Sequence, residues 1–464
     1  IALLPRLFVA IAWAREPVWD GHYYHFGAAR IAEGLGYSED VDVAGQLEWR
    51  PWTHYPVGYS GLLGGFYFVF GPSIRIAPLL NAVIGALTAA VGHRVALHWL
   101  TPRRALVAGA LIALHPGLIA YSSVVMTEPL AALLLIGALW ARVAPQRTWV
   151  AVSSAGALLG AAALVRPSSL VALPLLLLVE SKANLKALLR VAAASAIALA
   201  VVTPWTVRNC LRMDGCALVS TNGGWNLAIG ALTDSGRFRT LRADDGCPIV
   251  TGQVQQDRCW AEVGLDVIRR DPLRWLGLAP RKLSQTYDHE SFAIEYLREA
   301  DPKAWPESRR IAARELLTLF HRLLLVAASL AVVALVGWSR RQRTVYVVQT
   351  GLLVAAFGGA AYAFAAVEHP FFWFAVVPPL VALLPLPGAP QKGKVGSFLL
   401  GLVAAASLTH VVFFGDDRYH VVVTPALCLL AAAALRAPFT RREQAAEPAR
   451  EVANSAGHAG FAAG

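Results

Sequence analysis

Apolar runs of roughly 15 to 24 residues recur along the whole chain between short polar connections, and most could cross a hydrocarbon core of about 30 Å at 1.5 Å per residue. They predict spans near 1–15, 74–100, 104–122, 129–142, 149–165, 168–179, 187–204, 318–338, 345–366, 371–387, 395–414 and 421–436. Short strands in regular alternation do not appear in the pattern, so the spans read as helices rather than barrel strands. The first run carries Pro5 and Arg6 and opens at Ile1 without a methionine, so the first span is expected to begin upstream. One further apolar stretch, GYSGLLGGFYFVFG (58–71), reaches only about 21 Å as a helix. If it crossed, every later connection would swap sides, so it reads as a juxtamembrane or re-entrant helix. The tail 437–464 lacks periodicity and is expected to be disordered and cytoplasmic.

Composition agrees with the pattern. Of 464 residues, 56% are hydrophobic and 15% charged, where a soluble domain carries about 25% charged residues, and the chain reads as an all-α polytopic membrane protein with about twelve transmembrane helices. The net charge of +11 would suit nucleic acid, but its placement gives another reason. The connections TPRR (101–104), ARVAPQR (141–147), SKANLKALLR (181–190), SRRQR (339–343), QKGK (391–394) and RAPFTRR (436–442) are all basic and alternate along the chain. The positive-inside rule places this set in the cytoplasm, which accounts for most of the excess charge without nucleic acid as a partner.

The other connections then share the outer face: 16–73, 115–128, 166–168, 205–317, 368–370 and 415–420. Nearly all the unusual polar chemistry lies in them, while the span interiors are almost free of Asp, Glu, Lys and Arg. That distribution argues against an ion-coupled pump with a midplane relay and favours a site at the outer surface. Cys210, Cys216, Cys247 and Cys259 all fall in the loop 205–317, where two disulfides are expected with three possible pairings. No Cys/His spacing suggests zinc, and no residue is assigned to a metal. A loop this long should fold as a small α-rich cap, with a helix near 253–270 stopped by Asp271-Pro272 and a headgroup-zone segment LRWLGLAPRKLSQTY after it.

Asp20 with Tyr24, followed by ARIAEGLGYS (29–38), resembles the first outer loop of the GT-C superfamily of membrane glycosyltransferases. The likeness is greatest to the bacterial branch with protein O-mannosyltransferases, the lipid A aminoarabinose transferase and lipopolysaccharide-core transferases. It continues through HYPVGYSGLL (54–63), FGPSIRIAPLLNAVIGALTA (70–89), YSSVVMTEPLAALLL (121–135), LVRPS (164–168), TPWTVRN (203–209), STNGGWNLAIGA (220–231) and DRYHVVVTPALCLLAA (417–432). The resemblance implies a GT-C transmembrane domain (1–436) with a first outer loop (16–73) and a large periplasmic loop (205–317) in the cytoplasmic (inner) membrane. It further implies an inverting transferase that moves a sugar from a polyprenyl-phosphate donor to a hydroxyl of a glycan, lipid or protein acceptor. No cofactor is assigned, the lipid-linked sugar being a substrate, and a divalent metal stays open. Such enzymes commonly carry an Asp-Glu pair in the first loop; here Gly21 stands in the second position.

Chemistry then ranks the residues. A sugar hydroxyl needs a carboxylate within about 3 Å to accept its proton, which makes Asp20 the candidate base, and the departing phosphate needs cationic donors. Glu128, opening a span, matches an acidic active-site position and could orient the acceptor or hold a cation such as Arg418. Arg208 and Arg418 can clamp phosphate with paired donors, whereas His54 and His420 offer hydrogen bonds. Tyr24 and Tyr55 belong to a crowd of aromatic rings in the first loop, and Asn222 opens a glycine-rich turn; these complete the candidate substrate-binding set. A transporter or flippase of lipid-linked sugars, and a glycan ligase or polymerase with a diphosphate-linked donor, are the competing classes.

Overall fold

A computed structural model describes residues 1–180, 182–248, 252–336 and 393–435, with isolated positions between 347 and 377. In order, the elements are α1 (Leu3–Ala12), α2 (Asp20–Ala32), β1 (Ser38–Val43), β2 (Gln46–Pro51), α3 (Val57–Phe70), α4 (Ile76–Leu97), α5 (Pro102–Leu114), α6 (Pro116–Ala120), α7 (Glu128–Val143), α8 (Thr148–Val165), α9 (Ala172–Leu175), α10 (Leu185–Arg212), α11 (Gly223–Leu232), α12 (Gln253–Arg270), α13 (Pro272–Gly277), α14 (Ala279–Tyr287), α15 (Phe292–Ala300), α16 (Glu307–Val336), α17 (Lys394–Val412) and α18 (Thr424–Ala434). Among the described residues α4, α8, α10 and α17 are long and apolar enough to cross a membrane, and α5 with α6 adds a fifth, bent by 48°. The predicted spans 1–15 and 421–436 are the shorter apolar helices α1 and α18, and 168–179 is a series of short turns around α9. Segment 58–71 falls on the 14-residue α3, a shorter apolar helix. Spans 345–366 and 371–387 and the tail 437–464 lie outside the described residues, apart from the isolated positions.

The bend between α5 and α6 has a cause in the sequence. Pro116 has no N–H to give to the carbonyl of Ile112, and its ring displaces the chain there. The buried guanidinium of Arg6 supplies the missing donors: Nη2 to Ile112 O at 2.9 Å and Nη1 to Ala113 O at 2.6 Å. Gly85 of α4 leaves the space, since a Cβ at that position would overlap the Arg6 side chain. Arg6, which marks the first apolar run as irregular, is therefore a repair for a proline more than a hundred residues away.

Small residues set the packing of α8 against α10. Gly156 and Gly160, one turn apart on α8, rest on the backbone of Ala194 and Ala198 in α10, where any Cβ would collide. Without a strong hydrophobic drive between helices in lipid, such close backbone approach supplies the contact. Asn184 caps α10 by accepting from Ala187 N at 3.0 Å.

The all-α expectation requires one correction. Ser38–Pro51 forms an antiparallel hairpin pairing Ser38 with Pro51 through Val43 with Gln46. Its two-residue turn places both Ala44 and Gly45 at positive φ, the geometry that matches strand twist. Gln253 of α12 ties this hairpin to the large loop, donating to Glu39 at 2.7 Å and accepting from Thr53 N at 3.0 Å. Segment 205–317 contains helices α11–α15, and its sulfurs pair Cys210–Cys216 and Cys247–Cys259. A small core of Ile229, Leu241, Trp260, Phe414 and Tyr419 joins this cap to the 413–419 segment.

A candidate active site at one end of the helix bundle

The start of α7, the end of α8, the end of α17 and the start of α11 all border one cavity of about 320 Å³. The connections that converge there are those without basic character. Asp20, Tyr24, His54, Tyr55, Glu128, Asn222 and Arg418 all line it. These seven candidates come from five separate segments of the chain.

Asp20 opens α2, and Trp19 before it holds φ at 49°, a strained value for a bulky residue. Trp19 is fixed by ring contacts to Phe292 and Tyr296, so the strain aims Asp20. Its Oδ1 accepts from the Tyr55 hydroxyl at 2.7 Å and its Oδ2 from Arg418 Nη1 at 2.5 Å. Burial pushes the Asp20 carboxyl up, but the Arg418 charge and the two hydrogen bonds outweigh it and hold the group below the usual carboxylate range. Gly21 has a physical reason. A Cβ there would overlap the Tyr296 hydroxyl and the Val125 carbonyl, so this fold has no space for a second acid beside Asp20.

Arg418 is held from below. Asp417 accepts from Ser291 N, from Ser291 Oγ at 2.8 Å and from Phe292 N at 2.9 Å, pinning the 416–420 segment to the start of α15. The guanidinium lies 5.1 Å from the ring centroids of Phe292 and Tyr419, and its Nε has no hydrogen-bond partner among the described residues. Across the cavity, Glu128 is fully buried in the first turn of α7 and accepts from Arg166 Nη1 at 2.6 Å. Arg166 was not among the sequence candidates, although its motif LVRPS was. Pro167 forces Arg166 out of the helical region, which ends α8 and turns the side chain into the cavity. A lone arginine at the non-basic end of an apolar run was the signal.

His54 sits against Tyr55 and Trp225, with burial pushing its pKa down to about 4, so the ring is neutral at pH 7. Two candidates lie elsewhere. Arg208 does not reach the cavity: Nη2 donates to Tyr37 O at 2.6 Å and Nη1 to Trp52 O at 3.0 Å, bracing the hairpin. His420 points away beneath the cavity, donating from Nδ1 to Thr286 O at 2.7 Å and stacking on His321 at 3.9 Å.

No family model matches the chain, and no curated protein matches it. Among solved structures, the archaeal oligosaccharyltransferase AglB from Archaeoglobus fulgidus, in complex with an inhibitory peptide and a dolichol-phosphate, is similar at 13% identity and a TM-score of 0.45, over 98% of this chain and 51% of AglB. ArnT from Cupriavidus metallidurans bound to undecaprenyl phosphate is similar at 15% identity and a TM-score of 0.37, over 93% of this chain and 76% of ArnT. The chain thus spans about half the length of AglB. These likenesses are too distant to transfer chemistry, and the functional reading rests on the cavity's own residues. In the course of its chain the protein is similar to these two solved structures, and in its sequence motifs it resembles the GT-C superfamily.

Proposed function

We propose that the protein is an inverting glycosyltransferase that moves a sugar from a polyprenyl-phosphate donor to a hydroxyl acceptor at the outer face of the cytoplasmic membrane. The observation that carries this reading is one cavity lined by two carboxylate–guanidinium pairs, Asp20 with Arg418 and Glu128 with Arg166. A volume near 320 Å³ suits a small ligand headgroup, sites of this kind spanning about 300 to 1,000 Å³.

In this mechanism the donor phosphate engages the unpaired edges of Arg418 and Arg166, which stabilise the charge that grows as the glycosidic bond breaks. Asp20 accepts the acceptor hydroxyl's proton as the new bond forms. The Asp20–Arg418 pair couples the two events. Arg418 holds Asp20 weakly basic in the empty cavity; a phosphate that shares the arginine's charge raises the basicity of Asp20 when the donor is in place. Neutral His54 and the Tyr55 hydroxyl serve as hydrogen-bonding groups on the same wall, and Glu128 orients Arg166.

The test is turnover of a panel of polyprenyl-phosphate sugars by the detergent-purified chain, compared with Asp20→Asn and Arg418→Ala. Transfer that collapses in Asp20→Asn while donor binding persists supports the reading. Donor that binds, or crosses proteoliposomes, without being consumed by the native chain favours the flippase instead.

A further inference from the structure

Beneath the cavity, on the other side of the 416–420 segment, lies a second cluster that the proposed transfer does not use. Glu290 follows α14, His321 lies in α16 and His420 precedes α18. All three are buried, at 2%, 0% and 0% exposure. Both carboxylate oxygens of Glu290, Nδ1 of His321 and Nε2 of His420 lack any hydrogen-bond partner among the described residues. The second nitrogens settle what these atoms are. His321 Nε2 lies 2.9 Å from Tyr287 O and His420 Nδ1 lies 2.7 Å from Thr286 O, so each must carry the proton there. With one proton per ring, the nitrogens left over are lone pairs, His420 Nε2 lying 4.0 Å from Glu290 Oε2, beyond hydrogen-bond reach. Three electron-pair donors converge with no proton donor among them, an arrangement that is costly unless a cation is present.

The backbone is shaped for this. Gly117, placed by the bend at Pro116, lies so close to the Glu290 carboxylate that any Cβ would occupy its position. Thr318 Oγ1 accepts from Glu290 N at 3.2 Å, fixing the carboxylate's base. His115 is not a fourth donor, because its Nδ1 accepts from Leu118 N at 3.3 Å, which leaves the proton on Nε2.

We propose that Glu290, His321 and His420 form a binding site for one divalent transition-metal ion of the zinc type. Two imidazoles and a carboxylate match the donor preferences of zinc and its neighbours, and imidazoles anchored through backbone carbonyls are the usual support for such ligands. The ligand atoms lie within 4.8 Å of one another, so an ion at their centre needs each to move inward by about 0.8 Å to reach about 2.0 Å, and the two rings, stacked at 3.9 Å and 25°, to splay until both in-plane lone pairs point at it. Bound there, the ion joins three segments that are distant in sequence, and the third of them carries Arg418 two residues before its ligand.

The test uses the full chain with a non-histidine tag, expressed in zinc- or cobalt-supplemented medium and purified without chelator. The expected result is about one metal per chain by elemental analysis, visible absorption from the cobalt form, and loss of both in Glu290→Gln and His321→Asn, with His115→Asn retaining them. If the native chain from either medium carries less than about 0.1 metal per chain, the site does not exist as proposed. Unchanged metal content and spectrum in both ligand variants would place the ion elsewhere and overturn it equally. Because the native cobalt spectrum is read directly, a variant that fails to fold leaves the test decisive.

Discussion

Two buried polar clusters lie on opposite sides of one short segment, and they solve the problem of burial in opposite ways. In the cavity, carboxylates and guanidiniums pair: Asp20 with Arg418, Glu128 with Arg166. Beneath it, Glu290, His321 and His420 present lone pairs to one another. The paired cluster has its charges matched as folded, and a ligand enters by sharing arginines that already hold a carboxylate. The unpaired cluster is incomplete as folded, and its missing partner is a cation. Buried charge alone would rank the two alike; the inventory of donors and acceptors separates them.

The largest effect should come from breaking the chemistry of the paired side. Asp20→Asn keeps the shape but removes the proton acceptor, and transfer should fall about 10² to 10⁴-fold with donor affinity retained. Next comes a matched pair of substitutions measured by unfolding in detergent. Glu128→Gln leaves Arg166 facing a neutral amide and should cost about 3 to 5 kcal/mol, largely recovered in Glu128→Gln/Arg166→Gln. Glu290→Gln in the metal-free protein removes an unpaired charge and should leave stability unchanged or raised, whereas in zinc-loaded protein it should lower the unfolding midpoint. Equal losses at Glu128 and Glu290 without metal would erase the contrast between the clusters.

Acid sharpens the comparison more gently. His54 takes a proton near pH 6.5 in the unfolded chain but only near 4 when folded, so the unfolded state binds more protons between these values. Its contribution therefore lowers stability as pH falls from about 6.5 to about 4 and is flat above, and His54→Gln should reduce that slope. Asp20, depressed below the ordinary carboxylate range, stays charged across this window, so donor affinity should stay level while stability declines. Smallest is Asn184→Ala at the far end of the bundle, which should cost about 1 kcal/mol of stability and leave transfer intact.

How much of this was legible in the sequence depended on what kind of position each residue holds. Asp20, Glu128 and Arg418 stand at the ends of apolar runs in non-basic connections, and chain geometry leaves them little choice but the bundle's rim. Arg208 and His420 stand at similar ends yet face elsewhere, because rotation about a helix axis is not visible from proximity to its end. In the single turn of 3₁₀ helix Tyr419–Val422, with three residues per turn, two steps from Arg418 carry a side chain to another face. The hairpin went unread although EDVDV and LEWRP alternate around Ala44-Gly45, since Ala is a poor occupant of positive φ. The bend at Pro116 needed Arg6 to be seen as a donor, which only folding brings about.

The proposed catalytic carboxylate and the arginine that restrains it are 398 residues apart in the chain. A ribosome makes the first long before the second, so a growing chain holds Asp20 with no arginine beside it and a cavity with walls still missing. The site is completed only when the segment ahead of α18 arrives and docks. On the proposed function, a nascent chain built this way could not consume lipid-linked sugar before its last walls arrive, and a chain truncated before residue 418 would be inert rather than unregulated.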